Sequence, residues 1–206
     1  DELNQFFRSD IAQVRDAVLN RYFPIFGGGT NVAGRTRLRP RIVMMDSNYR
    51  TREVHAFVSQ QDERRMRACR GDHKTKPSER FRVTEVEKPQ RDGPSYATPR
   101  KVTEIYTAHF KEAIQEKLSL PSPETPGSFN FFSGVVQSSS DYLRQLTNES
   151  PIEVLDKTTG RKKTVWKPRS EQWGNHCGDT EVYGFCGAEI VLHEMGASWD
   201  AKTWVT

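Results

Sequence analysis

Two segments far apart in the chain limit what it can become. The first is Arg41-Ile-Val-Met-Met-Asp46-Ser47-Asn48-Tyr49-Arg-Thr51-Arg-Glu-Val54, a short apolar run that breaks into polar residues at Asp46. The second is Trp173-Gly174-Asn175-His176-Cys177-Gly178-Asp179-Thr-Glu181-Val182-Tyr183, a glycine-marked loop that leads into helical periodicity at Asp179. Each sets one aspartate at the edge of an apolar element. Mg²⁺ takes oxygen ligands and keeps several waters, so carboxylates delivered from separate elements to one point suit it. Two such ions about 3.5–4 Å apart can clamp both oxygens of a phosphodiester being cleaved. The two segments therefore point to Asp46 and Asp179 as ligands of Mg²⁺ or Mn²⁺. Judged singly, each also has a structural reading, as a turn former or a helix cap.

The bulk properties are compatible with that chemistry. With 206 residues the chain can bury a full core. Mean hydropathy is −0.77, and no apolar run approaches the roughly 20 residues of a membrane span, so a membrane partner is not expected. No signal peptide opens the chain, and Asp1 in place of an initiator methionine reads as a fragment, a processed product or a partial sequence. Three cysteines, Cys69, Cys177 and Cys186, are too sparse for a disulfide scaffold. Net charge is only +4, but the cations cluster. Arg35, Arg37, Arg39 and Arg41 alternate; Arg64, Arg65, Arg67 and Arg70 form a second group; Arg161, Lys162, Lys163, Lys167 and Arg169 form a third. Such clusters suit a polyanion, because phosphate neutralisation supplies most non-specific nucleic-acid affinity.

Periodicity predicts alternating elements. Residues 10–23 have helical spacing, ended by Pro24 and Gly27-Gly28-Gly29. Residues 41–45 suit a strand buried on both faces. A helix from about Thr51 should turn Val54, Phe57 and Val58 inward, and Met66 to Cys69 should return as a parallel strand. Residues 70–100 shift to Lys, Arg, Pro, Gly and Ser and read as a surface excursion, with Phe81 to Val86 alternating like a half-exposed strand. Val102 to Thr107 is strand-like, His109 to Leu118 an amphipathic helix and Asp141 to Leu146 a short helix. Ile152 to Leu155 and Lys163 to Trp166 flank a turn containing Gly160, a hairpin signal. A last helix should run from near Gly178 to Gly196. The class is α/β, one domain over 1–206 with a hairpin inserted before the last helix.

Two other motifs fail on chemistry. Gly29-Thr-Asn-Val-Ala-Gly34-Arg35-Thr36 approaches a phosphate loop, but Arg35 replaces its lysine and the flanking elements are reversed. Cys69, His73, His176, Cys177 and Cys186 have spacings that fit no zinc-ligand pattern.

The blocks around the two aspartates extend into a family pattern. Ile-Val-Met-Met-Asp46-Ser47-Asn48-Tyr49-Arg-Thr51-Arg-Glu-Val54-His-Ala-Phe57 resembles the I-D-S-G-Y-x-T signature of the GpA-like large terminases of tailed phages. Phe110-Lys111 through Leu118, Phe129-Asn-Phe131, Tyr142 through Glu149, and Trp166-Lys167 with Gly174-Asn175, Asp179 and Tyr183 are similar to that family's later blocks, in the same order. There are departures: Asn48 stands where the family has glycine, His176 where it has glutamate and Gly178 where it has leucine. The family's opening Asp-x-Gln strand has no counterpart here.

The resemblance implies the C-terminal nuclease domain of a packaging motor, with a ribonuclease-H-like mixed sheet flanked by helices, its opening strands and first carboxylate missing from this sequence. It implies a metal-dependent endodeoxyribonuclease that cuts concatemeric double-stranded DNA, with Asp46 and Asp179 as catalytic metal ligands and two ions of Mg²⁺ or Mn²⁺. Arg35, Arg37, Arg39, Lys111, Lys167 and Arg169 are the candidate DNA contacts, and Ser47, Tyr49, Glu149 and Asn175 are further motif positions. Implied partners are double-stranded DNA, the terminase ATPase domain, the small terminase subunit and the portal, in the host cytoplasm of a phage or prophage. The alternative is a catalytically incomplete DNA-binding or assembly module in which the aspartates are structural.

Overall fold

The computed structural model describes residues 23–25, 36–38, 41–48, 51–72, 79–86, 100–122, 124–125, 127–129 and 140–196. Strand β1 (Phe23–Ile25) pairs antiparallel with β2 (Thr36–Leu38), Pro24 facing Arg37. The helix expected over 10–23 lies outside the described residues except for its last position. Phe23 is extended, not helical, because the ring of Pro24 disfavours the α region for the residue before it.

A strand–helix–strand unit follows. Strand β3 (Val43–Asp46) runs parallel to β4 (Met66–Gly71), with Val43 beside Met66 and Asp46 beside Cys69. Helix α1 (Thr51–Val58) makes the crossover and buries Val54, His55 and Phe57. Phe57 packs with Met66, and Val43, Met45 and Val58 close around them. Strand β3 was expected to be buried on both faces, yet its apolar residues are only half-buried. Among the described strands it pairs only with β4, at the edge of the sheet. Strands β5 (Phe81–Val86) and β6 (Arg100–Ile105) complete a sheet of order β3-β4-β6-β5. The buried positions are concentrated on its inner strands: Met66, Ala68 and Cys69 on β4, and Val102 and Thr103 on β6. Strand β5 falls within the expected excursion and has the half-exposed pattern its alternation suggested. Residues 73–78 and 87–99 lie outside the described set.

The second group of elements is helix α2 (Thr107–Leu118), helix α3 (Ser140–Leu146), strands β7 (Glu149–Leu155) and β8 (Lys162–Pro168), and helix α4 (His176–Glu194). Helix α4 packs on both α2 and α3. Phe110 and Ile114 of α2 are buried, as are Val182, Cys186, Ile190 and Leu192 of α4. The Phe129 ring stacks on Phe185 at 5.8 Å between centroids. Strands β7 and β8 form an antiparallel hairpin with seven facing pairs, three residues longer at its base than the β7 pattern signalled. Pro151 and Pro168 interrupt the sequence pattern there, but proline is tolerated in a ribbon whose outer edges need no ladder donor. Gly160 takes φ 67° in the turn, where a side chain would be strained.

The molecule is thus mixed α/β, a mixed parallel and antiparallel sheet with flanking helices, compatible with a ribonuclease-H-like fold. Among the described residues, no helix is long and apolar enough to cross a membrane.

Candidate active site

Asp46 is the exposed last residue of β3. Its Oδ1 accepts the Asn48 N–H at 3.0 Å, an Asx turn that ends the strand. Ser47 behaves differently. It is buried, and both its N–H (2.8 Å) and its hydroxyl (2.9 Å) donate to the Cys69 carbonyl of β4. The Thr51 hydroxyl then donates to the Ser47 carbonyl at 2.7 Å, tying the start of α1 to the same turn. The apolar run therefore places Asp46 at a fixed strand end, with Ser47 anchoring it to the neighbouring strand.

Asp179 was expected at the entrance of the last helix. The helix in fact starts at His176, and Asp179 sits in its first turn, its N–H donating to the Asn175 carbonyl at 2.9 Å. Asn175 is the N-cap residue but makes no side-chain cap bond. An acid in a first turn is stabilised by the helix's positive end. The start of α4 is tied to α3 by the Gln145 side-chain oxygen, which accepts the Cys177 N–H at 3.2 Å. Gly178 lies directly over the end of α3, where a Cβ would meet the Gln145 carbonyl at 3.4 Å.

Around Asp179 three elements converge. Lys111 of α2 sets its Nζ 2.5 Å from Glu149 Oε2 on β7 and 3.7 Å from Asp179 Oδ1 on α4. The Lys111 and Glu149 side chains are only 13% and 15% exposed, against 35% for Asp179. One ammonium thus stands between two carboxylates. The lysine and glutamate line a cavity of about 230 Å³ whose wall includes Ile114, Trp166, Arg169 and Val182. The Trp166 indole Nε1 is buried, with no hydrogen-bond partner among the described residues.

The site rests on a clamp that local patterns did not reveal. Asn148 is 5% exposed. Its amide donates to the carbonyls of Ser170 (3.0 Å) and Trp173 (2.5 Å), and its oxygen accepts the Ser170 N–H at 3.1 Å. Its carbonyl accepts the Arg169 N–H at 2.6 Å. Asn148 thereby closes the base of the hairpin and fixes the loop leading into α4. The Arg144 guanidinium lies 4.5 Å from the Trp173 ring centroid, over the same loop. On the neighbouring face the Tyr142 hydroxyl donates to Glu181 at 2.6 Å, and burial together with that bond raises the phenol's pKa. The only signal for Asn148 was its place beside Glu149 in a family block, which says nothing about burial.

The remaining candidates separate. Lys167 and Arg169 are exposed at the foot of the hairpin. Lys111, read from the sequence as a DNA contact, has its Nζ beside the Glu149 and Asp179 carboxylates. Arg37 belongs to β2, and Arg35, Arg39 and Tyr49 lie outside the described residues. The Cys69 and Cys186 thiols are buried and that of Cys177 is half-buried. Burial, then the Glu181 charge, pushes the Cys177 thiol's pKa up, away from the thiolate that metal binding needs. Among the described residues, no three His, Cys, Asp or Glu side chains are gathered into a metal-binding group. The carboxylate oxygens of Glu149 and Asp179 match a hard divalent cation in kind, and the Lys111 ammonium already stands as a cation between them.

A sequence model of one family, the endonuclease domain of the terminase large subunit gpA, matches residues 24–199. No curated protein and no solved structure gives a significant match. The match spans most of the chain and includes every block around Asp46, Lys111, Glu149 and Asp179, so the chain belongs to the terminase large subunit gpA endonuclease family.

Proposed function

We propose that the chain cuts concatemeric double-stranded DNA during genome packaging by metal-assisted phosphodiester hydrolysis. The observation that carries this reading is the convergence of Asp179 and Glu149 on the Lys111 ammonium in a chain of an endonuclease family. Asp46 and Asp179 would hold Mg²⁺ or Mn²⁺, two ions in all. When bound, such ions lower the pKa of the attacking water and neutralise charge on the leaving oxygen. The protein's own residues prepare the rest. Lys111 balances the charge of Glu149 and Asp179 and holds both in place. Asn148 fixes the loop that delivers Asp179. Arg169 lines the cavity beside Glu149 and, with Lys167, would grip the DNA backbone, as would Arg35, Arg37 and Arg39. Such contacts position the duplex without reading its sequence. The expected partners are duplex DNA, the terminase ATPase domain, the small terminase subunit and the portal, met in the host cytoplasm.

The test is Asp179→Asn in a chain extended upstream by the family's opening strand. Plasmid nicking in Mn²⁺ should fall below detection while the thermal melt changes little, because Lys111 keeps Glu149 as its counter-ion when the half-exposed Asp179 loses its charge. A variant that unfolds would make Asp179 a structural residue. A folded wild-type chain that binds plasmid but never nicks it would favour the incomplete assembly module.

A further inference from the structure

The hairpin of β7 and β8 is disproportionately charged. Residues 149–169 carry six cations, four of them lysines, against Glu149, Glu153 and Asp156, a net +3 within a chain whose total is +4. Glu149 is turned to Lys111 at the base. Asp156 is consumed by its own turn: Oδ1 accepts the N–H groups of Thr158 (2.9 Å) and Thr159 (3.1 Å), and Oδ2 meets Lys163 at 2.8 Å. The Asp156 N–H donates to the Arg161 carbonyl and the Gly160 N–H to the Asp156 carbonyl, both at 2.8 Å, so the tip is a closed, ordered turn. Lys157, Arg161 and Lys162 are exposed on it, and the Lys162 Nζ lies 2.9 Å from Glu153 Oε2 in a solvent-exposed ion pair that a phosphate can replace.

The two strands pair only with each other in the described sheets. Seven residues per strand at about 3.4 Å each make an arm on the order of 20 Å long. A lone two-stranded ribbon is barely stable in water. This one is held at its foot by the Asn148 clamp and the Lys111–Glu149 pair, while its far half is exposed on both strands. Leu155, at the tip, is 66% exposed.

We propose that this ribbon is a groove-entering arm for duplex DNA, its tip cations Lys157, Arg161 and Lys162 seated in the major groove. The proposal takes its choice of partner from the DNA-cutting reading above. A two-stranded ribbon fits the major groove, which is about 12 Å wide. The excess of cations faces phosphates along both walls, and Leu155 offers an apolar contact of the kind made with thymine methyl groups. An acidic protein surface would satisfy the charge as well, and the experiment separates the two.

The full chain is titrated against a labelled duplex by fluorescence anisotropy at several salt concentrations, beside the variant Lys157→Gln/Arg161→Gln/Lys162→Gln. Three lost phosphate contacts should flatten the slope of log affinity against log salt by about 2.7 and weaken binding at least about tenfold near 0.1 M salt. Dimethyl sulfate footprinting should show guanine N7, a major-groove atom, protected by wild type and reactive with the variant. The conservative variant Lys157→Arg/Arg161→Lys should bind like wild type, which rules out a fault in folding. If the glutamine variant keeps wild-type affinity and slope while wild type binds DNA, the arm is not the DNA contact and the nuclease reading stands without it. A flattened slope with guanine N7 unprotected would overturn groove entry and leave the ribbon lying along the backbone. If wild type fails to bind duplex at all, the DNA reading falls and the arm's assignment falls with it.

Discussion

Asp46 and Asp179 look alike in the sequence and are held differently in the molecule. Asp46 ends a strand, is exposed, and lends one oxygen to its own turn through the Asn48 N–H. Asp179 lies one turn inside a helix and faces Lys111, which also holds the largely buried Glu149. The first is set by backbone geometry alone, since a strand end and an Asx turn suffice. The second belongs to a charge cluster in which each member's burial depends on the others. Removing a partner from a turn costs little. Removing one from a partly buried charge cluster leaves another charge without its counter-ion, and the penalty is several times greater.

Lys111→Met tests that difference with the largest expected effect on stability. Glu149, 15% exposed, would lose its counter-ion while remaining beside Asp179. The loss should be about 3 kcal/mol, read as a lower denaturation midpoint and faster amide exchange in α4. Asp46→Asn should change stability by less than about 0.5 kcal/mol, because an asparagine oxygen can still accept the Asn48 N–H. Equal effects of the two substitutions would erase the distinction. Added Mn²⁺ should restore more stability to Lys111→Met than to wild type, since a bound cation would then replace the missing ammonium.

How much of this was legible in the sequence follows the same division. The unit of β3, α1 and β4 was legible because its apolar residues repeat with strand and helix periods, and Phe57 and Met66 meet as those periods require. The pair β1 and β2 was not, because three-residue strands carry almost no periodic signal and the helical spacing upstream of Pro24 runs into Phe23. Asp46 at a strand end was readable from a local pattern. The grouping of Lys111, Glu149 and Asp179 was not, because they come from three separate elements and no local spacing records which helix faces which strand. Family blocks marked all three positions but did not indicate that the lysine points at the carboxylates. His55 also escaped, since a polar residue on the buried side of α1 breaks the apolar pattern by which burial is read.

Asn148→Ala should have an intermediate effect. The substitution removes the side chain that pairs with Ser170 and Trp173, leaving their backbone groups to find other partners. A loss of about 2 kcal/mol is expected from buried polar groups left unsatisfied. The clamp closes the hairpin base and positions the loop before α4, so amide exchange should rise at both places together. A rise confined to the hairpin would show that Asp179 is held by α3 and α4 alone.

Ser47→Ala should cost less than Asn148→Ala, and it bears on Asp46 directly. The hydroxyl donates to the Cys69 carbonyl at 2.9 Å in a buried setting. That carbonyl also accepts the Ser47 N–H at 2.8 Å, so alanine leaves no acceptor orphaned. The cost should sit at the low end for a buried hydrogen bond, about 0.5–1 kcal/mol. Ser47 occupies a family motif position next to a proposed metal ligand, which makes a direct part in the chemistry the rival reading. The two readings differ in what moves. If Ser47 only anchors the strand end, nicking measured well below the melting transition should keep its kcat to within about threefold, with at most a modest change in Mn²⁺ dependence as Asp46 shifts. If the hydroxyl acts on the substrate, kcat should fall by two orders of magnitude or more with the melt almost unchanged, and a threonine at 47 should restore it. That second outcome would make the surroundings of Asp46 as interdependent as those of Asp179, and the contrast between them would no longer hold.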